Sequence, residues 1–176
     1  MPPVDVALAV VVFGFMLVEA RRASRNERLQ RARGGVEPSG DVYHWMTAAY
    51  PASFLAMIAE GVARGPAPLR LVTAGALVFA AAKALKWWAI VSLRDFWTFR
   101  VIVVPRAPLV RRGPYRVLRH PNYVGVVGEL VGVALMTGAL VSGGIATLAF
   151  GGLILKRIGV EERALAAADE PRRSSV

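Results

Sequence analysis

The apolar stretch Val124–Leu155, VGVVGELVGVALMTGALVSGGIATLAFGGLIL, holds one charged residue, Glu129, among 32 positions. As a single helix it would be about 48 Å long, whereas the hydrocarbon core of a bilayer is about 30 Å thick. Ser142, Gly143 and Gly144 lie in its middle and favour a turn. The stretch therefore predicts a helical hairpin that crosses the membrane twice.

Three further apolar runs precede this hairpin, and each is close to the length of about 20 residues that a spanning helix needs. They are Val4–Ala20, Val42–Ala59 and Leu71–Leu93. The third carries Lys83 and Lys86 toward its end, where a lysine can reach the headgroups. We therefore expect an all-α, polytopic membrane protein of about five transmembrane helices, with the hairpin as spans four and five, and a single domain over residues 1–176.

The composition supports a membrane protein. Of 176 residues, 55% are hydrophobic and 19% are charged, against roughly 25% charged in soluble domains. The absence of cysteine excludes disulfides and thiolate chemistry, and two histidines without a ligand spacing predict no metal site. Because no nucleic-acid-binding motif accompanies the net charge of +10, we expect no nucleic acid partner.

Basic residues are distributed unevenly over the predicted loops. Six lie in Arg21–Asp41, seven in Arg94–Tyr123 and five in Lys156–Val176, but the opposite side has only Arg64 and Arg70. Because cytoplasmic loops are enriched in Lys and Arg, the N-terminus should be outside and the C-terminus cytoplasmic. The same charges should attract anionic membrane lipid. An Arg- and Ala-rich, Lys-poor composition indicates a bacterium with GC-rich coding, and hence the inner (cell) membrane.

The polar segment GPYRVLRHPNYVG, Gly113–Gly125, carries the first candidate site. Anchoring at the membrane interface accounts for its tyrosines and arginines, but not for a histidine held in front of a proline. Pro121 disfavours the α-conformation at His120 and suits the first turn of a helix. Because N–H groups at a helix start favour anionic or polar ligand groups, we expect a small-molecule site here.

The segment RIGVEERAL, Arg157–Leu165, carries the second candidate site. In a helix, Arg157, Glu161 and Leu165 lie on one face. Taken alone, Arg157 and Glu161 indicate an ordinary surface ion pair. The segment follows span five directly, however, so we expect it at the same cytoplasmic edge as His120, where it could close over a zwitterionic ligand.

Together the two motifs resemble the isoprenylcysteine carboxyl methyltransferase family of integral-membrane methyltransferases. The lead-in VVPRAPLV, Val103–Val110, also fits, and the motif-bearing part covers residues 100–165. The resemblance implies S-adenosyl-L-methionine as methyl donor, with Arg157 facing the methyl acceptor. The cofactor-binding residues that it implies are Ala107, Pro108, Leu109, Val110, Tyr115, His120, Pro121, Asn122, Tyr123 and Glu161.

The implied reaction is methyl transfer to an oxygen of a lipophilic acceptor, either a prenylated cysteine or a lipid-tailed phenol or pyrone. A carboxylate needs no base, whereas a phenol or enol does. Glu129 is a candidate catalytic base because ionisable residues inside a membrane are functional candidates. The alternative is that Glu129 is a structural partner of Lys83 or Lys86. The sequence leaves the acceptor and the oligomeric state open.

Two other functions compete with methyl transfer. NADPH-dependent membrane reductases of the sterol and steroid type also resemble this chain at Arg119–Gly125, RHPNYVG. The downstream pair Glu161 and Glu162 favours the methyltransferase. A non-enzymatic membrane scaffold, which would bind neither cofactor, is the third hypothesis.

Overall fold

The computed structural model describes residues 3–173 of the chain. Its five helices are α1 (Pro3–Ala32), α2 (Tyr43–Arg64), α3 (Leu69–Leu93), α4 (Pro121–Thr137) and α5 (Leu140–Arg173). Short 3-10 turns at Arg94–Phe96 and Gly113–Arg116 lie between α3 and α4. Within residues 3–173, extended pairing is limited to a bridge between Val36 and Val103. The all-α prediction is therefore confirmed.

Within the part of the chain that the structure describes, three regions are long and apolar enough to cross a membrane: α2, Leu69–Phe96 and Leu140–Ala168. Helix α4 is apolar but shorter, at 17 residues. Helix α1 is not among the three, but its first half contains the predicted first span. There Val10 and Leu17 are more than half exposed, as expected for side chains that face lipid. The chain is an integral membrane protein.

The predicted hairpin is present, but its turn lies earlier than the sequence indicated. Helix α4 ends at Thr137, Gly138 adopts a left-handed conformation (φ +67°), and α5 begins at Leu140. Residues 142–144, where the turn was predicted, lie inside α5. The reason is that Gly138 provides the left-handed residue that ends a helix, while Glu60 of α2 accepts the N–H groups of residues 141 and 142 at the start of α5.

Helices α3 and α4 pack so closely that their backbones nearly touch. A Cβ added at Gly132 would lie 2.8 Å from the backbone nitrogen of Phe79 and 2.9 Å from the carbonyl oxygen of Gly75. Small residues allow this approach between membrane helices. The contact fixes the direction of α4, which carries Tyr123 at its first turn.

The polar half of α1 is hydrogen-bonded to the segment that follows α3. The Asn26 side chain donates hydrogen bonds to the carbonyls of Arg94 and Trp97, and Gln30 donates to the carbonyl of Asp95. These bonds bring the basic part of α1 together with the basic segment between α3 and α4.

Residues 33–42, which join α1 to α2, form a strap across the same end of the molecule. The strap pairs Val36 with Val103 and accepts hydrogen bonds from Arg31 and Arg100 at Glu37. Burial alone would raise the pKa of Glu37, but the hydrogen bonds from Arg100 and Arg31 outweigh it, and that pKa is lowered. The strap is thereby held against the segment that leads to α4.

The two short connections lie at the other end of the molecule. Gly138, in the α4–α5 turn, packs against Ala67 in the α2–α3 connection. The arrangement agrees with the charge pattern, because the three basic segments share one end and the two short connections share the other. The assignment of the basic end to the cytoplasm stays a prediction.

Candidate functional site

The bend before α4 forms as the sequence predicts. His120 has φ −130° and ψ 60°, outside the helical region, and Pro121 is the first residue of α4. No side chain caps this helix. Pro121 has no N–H, and the N–H groups of Tyr123 and Val124 donate to the His120 carbonyl, which leaves the N–H of Asn122 for a ligand. The His120 ring stacks on Tyr123, with 5.6 Å between the ring centroids.

The second motif packs against this bend. The Tyr123 hydroxyl donates to Glu161 Oε2 at 3.0 Å, although the two residues are 38 positions apart. Burial raises the pKa of the Tyr115 phenol, and the negative charge of Glu161 raises it further. Glu162 is about half exposed and lies 3.4 Å from His120 Nε2. Glu161 thus points into the site, while Glu162 lies at its edge.

Arg157 is buried and joins four parts of the chain. Its Nε donates to the Tyr123 hydroxyl at 2.9 Å, its Nη1 to Asp41 Oδ1 at 3.4 Å, and its Nη2 to the Phe99 carbonyl. The other oxygen of Asp41 accepts the backbone N–H of Val101 at 2.9 Å. Arg157 therefore links α5 to α4, to the strap and to the segment after α3.

An apolar cavity of about 420 Å³ lies beside Arg157. Its wall includes Asn122 and Tyr123 from the first motif and Arg157 from the second. Most of the remaining lining comes from α1 and α2: Phe13, Met16, Leu17, Glu19, Ala20, Tyr43, Met46, Thr47, Tyr50 and Pro51. A volume of this order suits a small lipophilic molecule. Both motifs therefore meet at the polar end of an apolar cavity.

Four buried charged side chains form a cluster beside this cavity. Lys83 Nζ lies 2.8 Å from Glu19 and 3.1 Å from Glu129, and Lys86 Nζ lies 2.7 Å from Glu19 and 3.3 Å from Glu129. The Tyr50 hydroxyl donates to Glu129. Two carboxylates and two ammonium groups balance one another, which limits the cost of burying them.

The geometry at Glu129 favours the structural alternative over the role of base. Both predicted partners, Lys83 and Lys86, contact it. Glu129 is not among the residues that line the cavity, whereas its neighbours Tyr50 and Lys86 are. The base role stays a prediction, to be tested by turnover.

The lead-in residues 107–110 form an irregular segment in front of the Gly113–Arg116 turn. Arg112, which follows them, is anchored by its Nε to the Ser92 carbonyl of α3 at 2.9 Å. None of Ala107, Pro108, Leu109 and Val110 lines the cavity. The structure therefore brings the bend, Tyr115, Glu161 and Arg157 together, and leaves the role of the lead-in as a prediction.

Three residues of the site were missed by reasoning from the sequence. Glu19 lies near the end of the first apolar run, so the rule that singled out Glu129 could have found it. Asp41 and Tyr50 have no local signal, because their partners, Arg157 and Glu129, are 116 and 79 positions away.

Residues 74–167, more than half of the chain, match the sequence model of the isoprenylcysteine carboxyl methyltransferase (ICMT) family. The uncharacterized protein YpbQ of Bacillus subtilis (strain 168) is 29% identical over 143 residues, which cover 81% of this chain and 85% of the relative. An uncharacterized protein of Haemophilus influenzae is 24% identical over 112 residues, 63% of this chain and 65% of the relative. No solved structure matches the chain significantly.

Proposed function

Because the chain belongs to the isoprenylcysteine carboxyl methyltransferase family of membrane methyltransferases, we propose that it transfers the methyl group of S-adenosyl-L-methionine to an oxygen of a lipophilic acceptor. One observation carries this proposal. Tyr123 and Arg157, from two motifs far apart in sequence, share the wall of an apolar cavity. The family match does not favour the membrane reductase that the first motif also resembles.

The side chains around the bend have the chemistry to hold S-adenosyl-L-methionine, a family cofactor. The carboxylate of Glu161 suits its ammonium group, and the N–H of Asn122 at the start of α4 suits its carboxylate. The rings of Tyr115, His120 and Tyr123 suit its adenine and its sulfonium. When bound, this cofactor supplies an electrophilic methyl group. Pro121 and Asn122 complete the bend, and residues 107–110 would contribute backbone contacts.

The acceptor would lie in the cavity between α1 and α2, with its oxygen at the end formed by Tyr123 and Arg157. The apolar side chains exclude water and hold the acceptor in one orientation, which accounts for much of the rate enhancement of a displacement reaction. A lipophilic or prenylated acceptor can reach such a cavity from the bilayer. We place the basic end of the protein in the bacterial cytoplasm, where the cofactor is available.

The proposal is tested by comparing Glu161→Ala with Glu162→Ala. We expect Glu161→Ala to weaken S-adenosyl-L-methionine binding about 10- to 150-fold, because a charge-assisted hydrogen bond contributes about 1.5–3 kcal/mol. Glu162→Ala, at the exposed edge, is the matched control and should bind nearly as wild type does. Affinity is measured by titration calorimetry on the purified protein.

Methyl transfer is measured on the same samples with radiolabelled cofactor and extracted bacterial lipid. Equal losses in the two variants would contradict the assigned role of Glu161. A wild-type protein that binds NADPH but not S-adenosyl-L-methionine would favour the reductase, and one that binds neither would favour the scaffold.

A further inference from the structure

We propose that the cavity binds an acceptor whose oxygen-bearing group is uncharged, a hydroxyl rather than a carboxylate, and that Asp41 is the residue that determines this choice. The inference rests on the proposed function, because it concerns the acceptor of that reaction. It follows from the charges that line the cavity and from the partners of each charge.

Among the residues that the structure describes, the cavity lining includes three charged side chains: Glu19, Lys86 and Arg157. Arg157 is the cation at the end where the two motifs meet. Its guanidinium already bonds Asp41, Tyr123 and the Phe99 carbonyl. The Asp41 and Arg157 side chains are 4% and 7% exposed, so the pair is shielded from water.

The cation at the other end of the cavity is also paired. Lys86 contacts Glu19 at 2.7 Å and Glu129 at 3.3 Å, and Lys83 contacts the same two carboxylates at 2.8 and 3.1 Å. This cluster sums to zero charge. Both cations of the cavity lining, Lys86 and Arg157, therefore have a carboxylate partner.

A carboxylate that entered this cavity would find no unpaired protein cation to compensate its charge, unless it displaced Asp41 from Arg157. Displacement is opposed because Asp41 also accepts the backbone N–H groups of Val101 and Tyr43, at 2.9 and 3.1 Å. Burial of an unpaired charge costs several kcal/mol. A hydroxyl avoids this cost because it carries no charge, and at the end formed by Tyr123 and Arg157 it can donate to the Tyr123 hydroxyl oxygen, which has two lone pairs.

The test uses two probes with one skeleton, 4-octylbenzyl alcohol and 4-octylbenzoate. Their binding to the purified protein in lipid nanodiscs is measured at about pH 7.5 by equilibrium dialysis, and binding to empty nanodiscs is subtracted. S-adenosylhomocysteine is present throughout, because it lacks the sulfonium charge that could attract the benzoate. We expect the alcohol to bind at least about 10-fold more tightly, equivalent to about 1.4 kcal/mol.

The variant Asp41→Asn removes the negative charge at Arg157 while keeping a similar shape. We expect it to strengthen benzoate binding about 10-fold and to leave alcohol binding nearly unchanged. Glu37→Gln is the control, because it removes another carboxylate from the strap without altering the cavity lining. If benzoate binding changed equally in both variants, the effect would come from a loosened strap, and the role of Asp41 would be overturned.

Wild-type protein alone also tests the proposal, should Asp41→Asn fail to fold. The benzoate should bind more tightly as the pH falls from about 7.5 to 4.5 and a growing fraction of the probe is protonated, while the alcohol stays constant. Equal binding of the two probes at pH 7.5, tighter binding of the benzoate, or binding of neither would overturn the inference. Cofactor titration without a probe reports separately on the proposed function.

Discussion

Glu129 forms part of a buried cluster that stabilises the protein only while its charges balance. The two carboxylates and two lysines lie between α1, α3 and α4, where water cannot solvate a charge that loses its partner. Removing one partner of a buried ion pair costs about 3–5 kcal/mol, while replacing a whole pair with apolar groups can be neutral. The free energy of unfolding therefore tests the structural role of Glu129, and turnover tests a catalytic role.

We predict that Glu129→Gln lowers the free energy of unfolding by about 3–5 kcal/mol, because two ammonium groups then share Glu19 alone. The double variant Glu129→Gln with Lys83→Met restores the charge balance and should recover most of the loss. Thermal unfolding of the purified proteins in one detergent measures both effects. A double variant less stable than Glu129→Gln would contradict the cluster as described.

Turnover of Glu129→Gln decides whether this carboxylate is also a base. A general base contributes roughly 10²–10⁴-fold to the rate, and its loss should matter less as the pH rises and the acceptor ionises unaided. We expect a pH-independent ratio of wild-type to variant turnover between about pH 6 and 10, because Glu129 does not line the cavity. A ratio that shrinks steadily with pH would establish Glu129 as the base.

At the scale of elements, the position of α4 depends on its contact with α3. The first turn of α4 carries Asn122 and Tyr123, and its middle carries Glu129, so a displacement of this helix would move both the bend and the cluster. The contact has no space for a side chain at Gly132.

We predict that Gly132→Ala destabilises the protein by about 1–3 kcal/mol, because the added methyl group meets backbone atoms that cannot move separately. Gly152→Ala in α5 is the matched control, since nothing lies within 4 Å of its added Cβ. The control should be neutral or slightly stabilising, as alanine favours a helix more than glycine does. Denaturant unfolding of the two variants gives the comparison, and equal stabilities would contradict the close contact.

The strap of residues 33–42 is the element whose importance the sequence did not reveal. It looks like a polar connection. Its Asp41, however, accepts a hydrogen bond from Arg157, and its Val36 forms the bridge with Val103. Through Asp41 the strap therefore contacts Arg157, which lines the cavity. The two helices that the strap connects, α1 and α2, lie outside the matched residues 74–167.

At the scale of the whole molecule, the basic segments and the short connections occupy opposite ends. Asn26 joins α1 to the segment after α3, and Asp41 joins the strap to α5. Gly138 meets Ala67 at the other end. Because Lys and Arg are enriched on the cytoplasmic side, this arrangement predicts that the cofactor site faces the cytoplasm.

Single cysteines at Ser39 and Pro66 test the orientation. Both positions are exposed, and the chain has no native cysteine to give background labelling. We expect an impermeant maleimide to label Ser39→Cys only from the cytoplasmic side and Pro66→Cys only from outside. Labelling of both positions from one side would contradict this topology. Ser174, a third position on the predicted cytoplasmic side, lies outside the described residues.

Four properties could be predicted from the amino-acid sequence: the helical membrane fold, the hairpin, the bend at His120 and the resemblance of the two motifs to a methyltransferase family. These properties are local: hydrophobic length sets a span, proline sets a backbone conformation, and a motif is read within a few residues. The predicted position of the hairpin turn was nevertheless wrong. Residues 142–144 are turn-forming types, but they lie within α5.

The pairing of the buried charges, in contrast, depends on how the helices pack. Lys83 and Lys86 could have extended to the headgroups, but carboxylates from α1 and α4 hold them inside the protein. Arg157 could have been free for an acceptor, but Asp41, 116 positions earlier, pairs with it. The physical reason is that a buried charge is stabilised by whichever opposite charge the packing brings within reach, and the separation of the two along the chain does not enter that energy.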